Sequence, residues 1–523
     1  MTMTEVGGPD NPFILVNEPE GPPSEKLTPW EWIRKNLFSS WVNTLITLIF
    51  GPIALYLIYR FARFVFVTGR WDPVDSNLEL FMIGTYPREE RWRVVSQLIV
   101  MSAGIGGALG TMNASAKARR KLTGEEFVPT SWRTYASSYW SVVLFVLVLL
   151  VGFTDTTGPW LMVGAMVVLG VAGWAATTWL PDALRPLSWS ASALLIVVSF
   201  QLLSGTGGWA WFYTVLALVP LISGVVGRLS PSIARMAAPA TVGLGLAIAI
   251  AALVTSSVVV GLVGILVGIY GLVLVRQGDR LDATRVGLIM IASGVVTVLY
   301  RAIGLSGIDW SEWSGLHLTM TVAVASTLLA FPIGVLLALG RRSSLPAIRV
   351  MSVAYIEFFR GAPLITFLLA GAFFLGFFLN TESPLSLITR AIAAITLFSA
   401  AYIAEIVRGG LQAVPKGQVE AGLASGLSQP QITRFIVLPQ ALRAVIPAMV
   451  GQFISLFKDT SLLGIIALSE FLDVRLLVHA QEDFRGFGIA ETMTFVAFGF
   501  WAFAFAMSRE SQRLERRLGV GQR

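Results

Sequence analysis

The stretch VEAGLASGLSQPQITRFIVLPQA, Val419 to Ala441, is polar and helix-forming, yet it lies between two long apolar runs. Gly426 readily takes the left-handed conformation that ends a helix, so the spacing predicts a first short helix over roughly Gln418 to Ser425. A second helix starts at once. Ser428 and Gln431 stand at capping-box spacing, Pro430 is tolerated in a first turn, and Pro439 is expected to block continuation after Leu438. Ile432, Phe435 and Ile436 fall at three- and four-residue spacing, which predicts one apolar face. A loop that merely joined two spans would need only a few polar residues. A helix pair suits either a rigid knob docking into a partner's groove or an amphipathic helix lying on lipid headgroups.

The chain on either side is mostly membrane. Of its 523 residues, 55% are hydrophobic and 13% charged, against roughly 25% charged in soluble domains. Apolar runs recur at about 20 residues, the length that crosses a hydrocarbon core of about 30 Å. The expected fold class is therefore all-α, a polytopic helical membrane protein with about fourteen transmembrane helices. Spans are expected near 41–67, 92–112, 138–154, 159–180, 187–204, 209–227, 237–256, 258–276 and 284–303. The last five lie near 315–340, 352–379, 387–408, 441–466 and 489–507. Gly261, Gly264, Gly268 and Gly271 include a GxxxG pair suited to close helix packing.

Positive charge orients these spans. With both termini cytoplasmic, one side collects Lys117, Arg119, Arg120 and Lys121, then Arg228 and Arg235, Arg341, Arg342 and Arg349, and finally Arg513, Arg516 and Arg517. The turns DTTG, SGTGG and TESP opposite carry no Lys or Arg; Arg301, Arg390, Arg475 and Arg485 run against the pattern. The net charge of +7 thus follows from topology, and no nucleic-acid partner is expected. The polar, acidic first 40 residues lack the pattern of a signal peptide, so the first span is expected in the mature protein. No cysteine is present, which excludes disulfides, thiolate metal sites and thiol nucleophiles. His317 and His479 are too few and too far apart in sequence to suggest a metal site, and no cofactor is indicated.

The set Glu420, Ala421, Gly422, Gly426, Ile436, Leu438 and Pro439 resembles the EAA loop of ABC importer permeases, with Gly422 in place of the second alanine. IEFFRGAPLI at Ile356 to Ile365, AYIAEIVRGGLQAVPKGQ at Ala401 to Gln418 and LFKDTSLLGII at Leu456 to Ile466 resemble the polar amino acid branch of that family. WIRKNLFSSWVNTLITL near the start and YPREERWRV at Tyr86 to Val94 are similar to the larger subunits of general L-amino acid uptake systems. The resemblance covers roughly 25–95 and 310–510, and the stretch between carries more spans than that branch is expected to have. The span count and charge pattern predict a cytoplasmic tail over 1–40, an N-terminal transmembrane region of about nine spans over 41–309 and a basic cytoplasmic tail over 511–523; the resemblance implies a type-I permease core of about five helices over 310–510 with a coupling loop at 409–440.

The resemblance further implies a permease subunit in the bacterial inner membrane that conducts L-amino acids from periplasm to cytoplasm by alternating access. ABC ATPase subunits, a homologous second permease subunit and a periplasmic substrate-binding protein are the implied partners, within the lipid bilayer. Energy must come from those ATPases, because no lysine here follows a glycine and a Walker A loop requires that pair.

Charge at membrane depth marks pathways or buried pairs. Lys458 and Asp459 fall roughly mid-span, followed by Thr460 and Ser461, and form a candidate substrate pathway. Neighbours on a helix point about 100° apart, so the two charges need partners elsewhere, either an amino acid's carboxylate and ammonium or another helix. Glu357 with Arg360, and Glu405 with Arg408, are three apart and are each expected to meet on one helix face. With Pro363 expected to kink the chain nearby, they form a candidate inner gate. His317 stands where the family usually has an aliphatic residue. Three other readings compete: an ion-coupled secondary amino acid transporter, a lipid-modifying membrane enzyme, and a purely structural subunit.

Overall fold

The computed structural model describes residues 28–123, 132–152, 158–179, 312–374 and 386–518, with single positions at 188, 192 and 195. The expected spans from 209–227 to 284–303, and the glycines of 261–271, lie outside the described residues, and of the span expected at 187–204 only those three positions are described. The chain divides into two compact units, one up to Arg70 and one from Trp71 onward. In the first, α1 (Pro29–Leu37) precedes α2 (Trp41–Arg63), and a π-helical turn, Phe64–Thr68, follows.

The second unit opens with the short helices α3 (Asp72–Asp75) and α4 (Leu78–Ile83) and continues through α5 (Arg91–Thr123), α6 (Trp132–Gly152) and α7 (Gly158–Thr178). Its later part holds α8 (Gly315–Arg341), α9 (Pro346–Arg360), α10 (Leu364–Leu369) and α11 (Leu387–Ala413). Then come α12 (Lys416–Ala424), α13 (Gln429–Ile432), α14 (Leu438–Asp459), α15 (Val474–Ala480) and α16 (Ile489–Leu518). Among the described residues there is no β-strand, and seven helices are long and apolar enough to cross a membrane.

Side-chain size decides how these helices meet. A Cβ on Gly106 would run into the Gly170 carbonyl and one on Gly173 into that of Ala103, so α5 and α7 touch backbone to backbone. Farther along, α8 packs on α11, α11 on α14, and α16 on both α14 and α6. Two apolar clusters result. One gathers Phe81, Phe145, Phe471 and Phe495, and the other joins Ala338, Ile356, Ala404 and Val407 to Ile432 and Ala441.

Three helix ends far apart in the sequence come together. The Thr85 N–H donates to Ser314 Oγ at 2.6 Å, and Ser314 Oγ donates to the Ile83 carbonyl at 3.2 Å. The Gly315 N–H donates to the Ser469 carbonyl at 2.8 Å, and the Phe471 N–H to Thr319 Oγ1 at 3.0 Å. Residues 83–85, 314–315 and 469–471 thus form one clasp. Gly84 and Gly315 have φ of +58° and +64°, and a Cβ on Gly84 would fall on Ser314 Oγ, so the first of them tolerates no side chain at this approach. Elsewhere, Arg513 Nη2 donates to Ser138 Oγ at 2.8 Å, joining the start of α6 to the end of α16.

Two expectations are corrected. The span expected at 352–379 is not a single helix: α9 and the segment Leu364–Phe374 are bent by 104° at a short break. Gly361 and Pro363 occupy the break, and a proline there has no N–H for the helical ladder. Pro439, by contrast, does not end its helix. It sits in the first turn of α14, directly after a π-helical turn, Thr433–Val437, and the path from Gln429 to Ile466 runs as one 38-residue span. A widened turn accommodates the missing N–H and the ring, so the helix is bulged, not broken.

Candidate functional site

The loop after α11 is closed by its own backbone. At the end of α12, Gly426 has φ of +78°, the Leu427 N–H donates to the Gly422 carbonyl at 3.1 Å, and the Gly426 N–H to Leu423 at 2.9 Å. These are the two crossed bonds of a Schellman motif, which only a residue at ease with positive φ completes. The next helix starts two residues later. Ser428 is its cap, with the Ser428 N–H and hydroxyl each 2.8 Å from Gln431 Oε1. Both sequence signals are therefore realised, the first helix beginning at Lys416 where Gln418 was expected.

Gly422 is buried under Ile432 and Ile436. A Cβ there would lie 2.9 Å from Ile432 Cγ1 and 3.1 Å from Ile436 Cδ1, tighter than ordinary contact. The departure from alanine at this position thus matches a closer seat between the two helices. Ile432 is fully covered and belongs to the same apolar cluster as Val407, Ala404 and Ile356, which ties the loop to α9 and α11. The expected single apolar face is corrected: Phe435 points outward, 61% exposed, while Ile432 is buried. The π-helical turn takes in one residue more than an α-helical turn, and this rotates Phe435 away. Leu423, 50% exposed, and Glu420 are also open.

The four candidate gate residues do come together, in a different pairing. Arg408 Nη2 lies 2.8 Å from Glu405 Oε2, as the spacing requires. Glu357 and Arg360 do not pair with each other. Arg360 Nη1 instead reaches Glu405 Oε2 at 3.7 Å, and Arg341 at the end of α8 contacts Glu405 at 2.6 Å and Glu357 at 3.4 Å. Helix crossing, not spacing along one helix, decides these partners. Glu405, whose side chain is 16% exposed, thus joins α8, α9 and α11 through three arginines. Arg360 also stacks over the Tyr402 ring at 5.7 Å. Arg341 was missing from the expected set.

Lys458 and Asp459 stand at the end of α14, where it tightens into a 3-10 helix, Thr460–Ile466, and not at mid-span. Lys458 is exposed and Asp459 half-buried, and neither has an ion-pair partner among the described residues. Thr460 is buried and donates to the Phe457 carbonyl at 2.6 Å, so its hydroxyl serves the backbone. Ser461 is half-buried.

Beyond the change of helix lies Glu470, fully buried in the clasp. Its Oε1 accepts from the Asp473 N–H at 3.0 Å and its Oε2 from Thr319 Oγ1 at 3.4 Å. Burial pushes its carboxyl up to about 7, which these hydrogen bonds only partly offset. The His317 ring packs at a tilt of 35° against Trp313, centroids 4.4 Å apart, and its Nε2 donates to Gln97 Oε1 at 3.1 Å. That bond accounts for a polar residue at an aliphatic position. Among the described residues no cluster of His, Asp or Glu is arranged to hold a metal.

The family described as binding-protein-dependent transport system inner membrane component matches residues 330–520. The inner membrane amino-acid ABC transporter permease protein YhdY of Escherichia coli K12 is 43% identical over 218 residues, 42% of this chain and 59% of that protein. The glutamate/glutamine/aspartate/asparagine transport system permease protein BztC of Rhodobacter capsulatus is 42% identical over 41% of this chain and 50% of its own length. The chain thus spans little more than half the length of these two relatives. The probable glutamine ABC transporter permease protein GlnP of Bacillus subtilis is 36% identical over 39% of this chain and 92% of that protein. The chain therefore belongs to the binding-protein-dependent transport system inner membrane components, the permease family of ABC transporters.

Proposed function

We propose that this chain is the permease subunit of an ABC importer that carries L-amino acids from periplasm to cytoplasm by alternating access. Separate ATPase subunits dock on the loop at 409–440, a homologous second permease subunit completes the pathway, and a periplasmic binding protein delivers substrate. The permease core occupies 310–510, the spans of 41–309 precede it, and the tails at 1–40 and 511–523 lie in the cytoplasm with the loop. Amino-acid transport is what the names of the relatives state, and it supports this substrate class for the present chain.

The observation that carries the reading is the helix pair closed by Gly426 and Ser428, seated on α11 through Ile432, with Glu420, Leu423 and Phe435 left open. Apolar anchors on a rigid projection suit a groove in a partner. Glu357, Arg360, Glu405 and Arg408, with Arg341, act as an inner gate. Lys458 and Asp459, unpaired at the end of α14, supply both signs that an amino acid's carboxylate and ammonium require, with Ser461 and the bend at Thr460 beside them. The ion-coupled secondary transporter would leave the loop's exposed anchors without a use.

Purification of the chain from its native membrane in mild detergent tests the proposal. An ATPase and a related permease should co-purify, and Gly426→Asp should leave the protein in the membrane while losing the ATPase. A lone chain with no ATPase, or an ATPase retained by Gly426→Asp, would overturn it.

A further inference from the structure

Helix α1 presents two unlike sides. At 100° per residue, Trp30, Trp32, Ile33 and Leu37 fall on one side, and Glu31, Arg34 and Lys35 on the other. Nothing in α1 is buried, with Trp30 72% and Trp32 53% exposed, so within its own unit the apolar side is left uncovered by α2 and the turn that follows. The helix is nevertheless well fixed. The Glu31 N–H donates to Thr28 Oγ1 at 3.3 Å and the Thr28 N–H to Glu31 Oε2 at 2.7 Å, a complete capping box.

Its position relative to the membrane is set by the turn that follows. Only three residues separate Leu37 from Trp41, the start of a 28-residue apolar span. They reach at most about 10 Å even when extended. The turn is not free to extend, because Thr47 Oγ1 of α2 donates to the Leu37 carbonyl at 2.8 Å and Asn43 bonds both Ser40 Oγ at 3.2 Å and Ser39 Oγ at 2.7 Å. Hence α1 lies within the interfacial layer where α2 enters. Tryptophan is the residue favoured at that depth. On the opposite side, Arg34 and Lys35 remain available, while the one carboxylate, Glu31, is engaged by Thr28.

We propose that α1 is a membrane-surface helix: its tryptophan side enters the headgroup boundary, and Arg34 and Lys35 bind the phosphates of anionic lipids. Lipid is the occupant that the geometry favours, since a turn of only three residues, pinned by Thr47 and Asn43, holds α1 at the end of a 28-residue apolar span. Apolar burial and attraction to anionic headgroups then act together.

The absence of cysteine makes the test direct. Trp32→Cys and Glu31→Cys, each in the full chain with one environment-sensitive fluorophore, are reconstituted in phosphatidylglycerol-containing vesicles and in phosphatidylcholine alone. Nitroxide lipids labelled near the headgroup should quench position 32 several-fold more than position 31. Charge reversal at Arg34 and Lys35 should weaken that quenching in the phosphatidylglycerol vesicles only. Equal quenching at both positions, or shielding of position 32 that requires co-purified subunits, overturns the proposal. An unaltered response to charge reversal overturns the choice of anionic headgroups.

Discussion

Arg341 Nη1 sits 2.6 Å from Glu405 Oε1, and the same guanidinium nitrogen sits 3.4 Å from Glu357 Oε1. One arginine at the end of α8 therefore serves two carboxylates in different surroundings. Glu405 is largely covered, whereas the Glu357 side chain is 59% exposed.

Double-mutant cycles should separate the two contacts. Coupling between Arg341→Ala and Glu405→Ala is expected at about 1 kcal/mol, and between Arg341→Ala and Glu357→Ala below about 0.5 kcal/mol, since solvent screens the exposed pair. Unfolding in detergent would measure both. Equal couplings would mean that burial does not rank these contacts.

The turn at Gly426 distinguishes strain from crowding. A Cβ there meets nothing within 4 Å, so its φ of +78° alone should set the cost of substitution. Gly426→Ala should destabilise the loop by about 1–2 kcal/mol, and Gly426→Asn by less, because asparagine tolerates the left-handed region. Hydrogen exchange over 416–440 would report the difference, and the same protection in both variants would refute it.

His317 and Gln97 form a second test. Gln97 is buried, so His317→Leu strips a covered amide of its partner and should cost about 1–3 kcal/mol. The pair His317→Leu with Gln97→Leu should recover most of that loss, as two apolar groups leave nothing unsatisfied. Thermal unfolding of the three variants decides it; a double variant worse than the sum of the singles would be the contrary result.

Glu470 predicts a pH dependence of definite sign. Its carboxyl titrates near 7 in the folded chain, above the ordinary carboxylate value of 4.5, so the folded state holds the proton more tightly. The stability it contributes is full below about 4.5, falls as pH rises towards 7 and is flat beyond, amounting to no more than about 3 kcal/mol. Glu470→Gln should remove that slope. Melting temperatures of both proteins between about pH 5 and 8 would check it, and parallel curves would show that Glu470 is not the titrating group.

Sequence alone was a good guide wherever the determinant is local. Ser428 and Gln431 are three residues apart, Gly426 needs only its own backbone angle, and Pro363 marks the bend by lacking an N–H. It was a poor guide wherever a partner comes from another helix. Arg341 meets Glu405 across 64 residues and His317 meets Gln97 across 220, and neither distance follows from a period. A signal did exist for the second pair, since two polar groups in apolar spans tend to find each other. Pro439 misled because a proline in a helix can be absorbed by a wider turn as well as by a break. Phe435 faces outward for the same reason.

The clasp of Thr85, Ser314 and Ser469 also orders the birth of the molecule. Its three strands of contact come from positions 229 and about 385 residues apart along the chain. During synthesis the early segment around Gly84 must wait, with Ser314 still unmade, and Gly315 must wait again for Ser469. That end of the protein closes only when nine-tenths of the polypeptide has left the ribosome. Until then Phe81 lacks the rings of Phe471 and Phe495 that pack edge-on against it, so a chain truncated after α14 would carry every membrane span before it and still leave an apolar face unfinished.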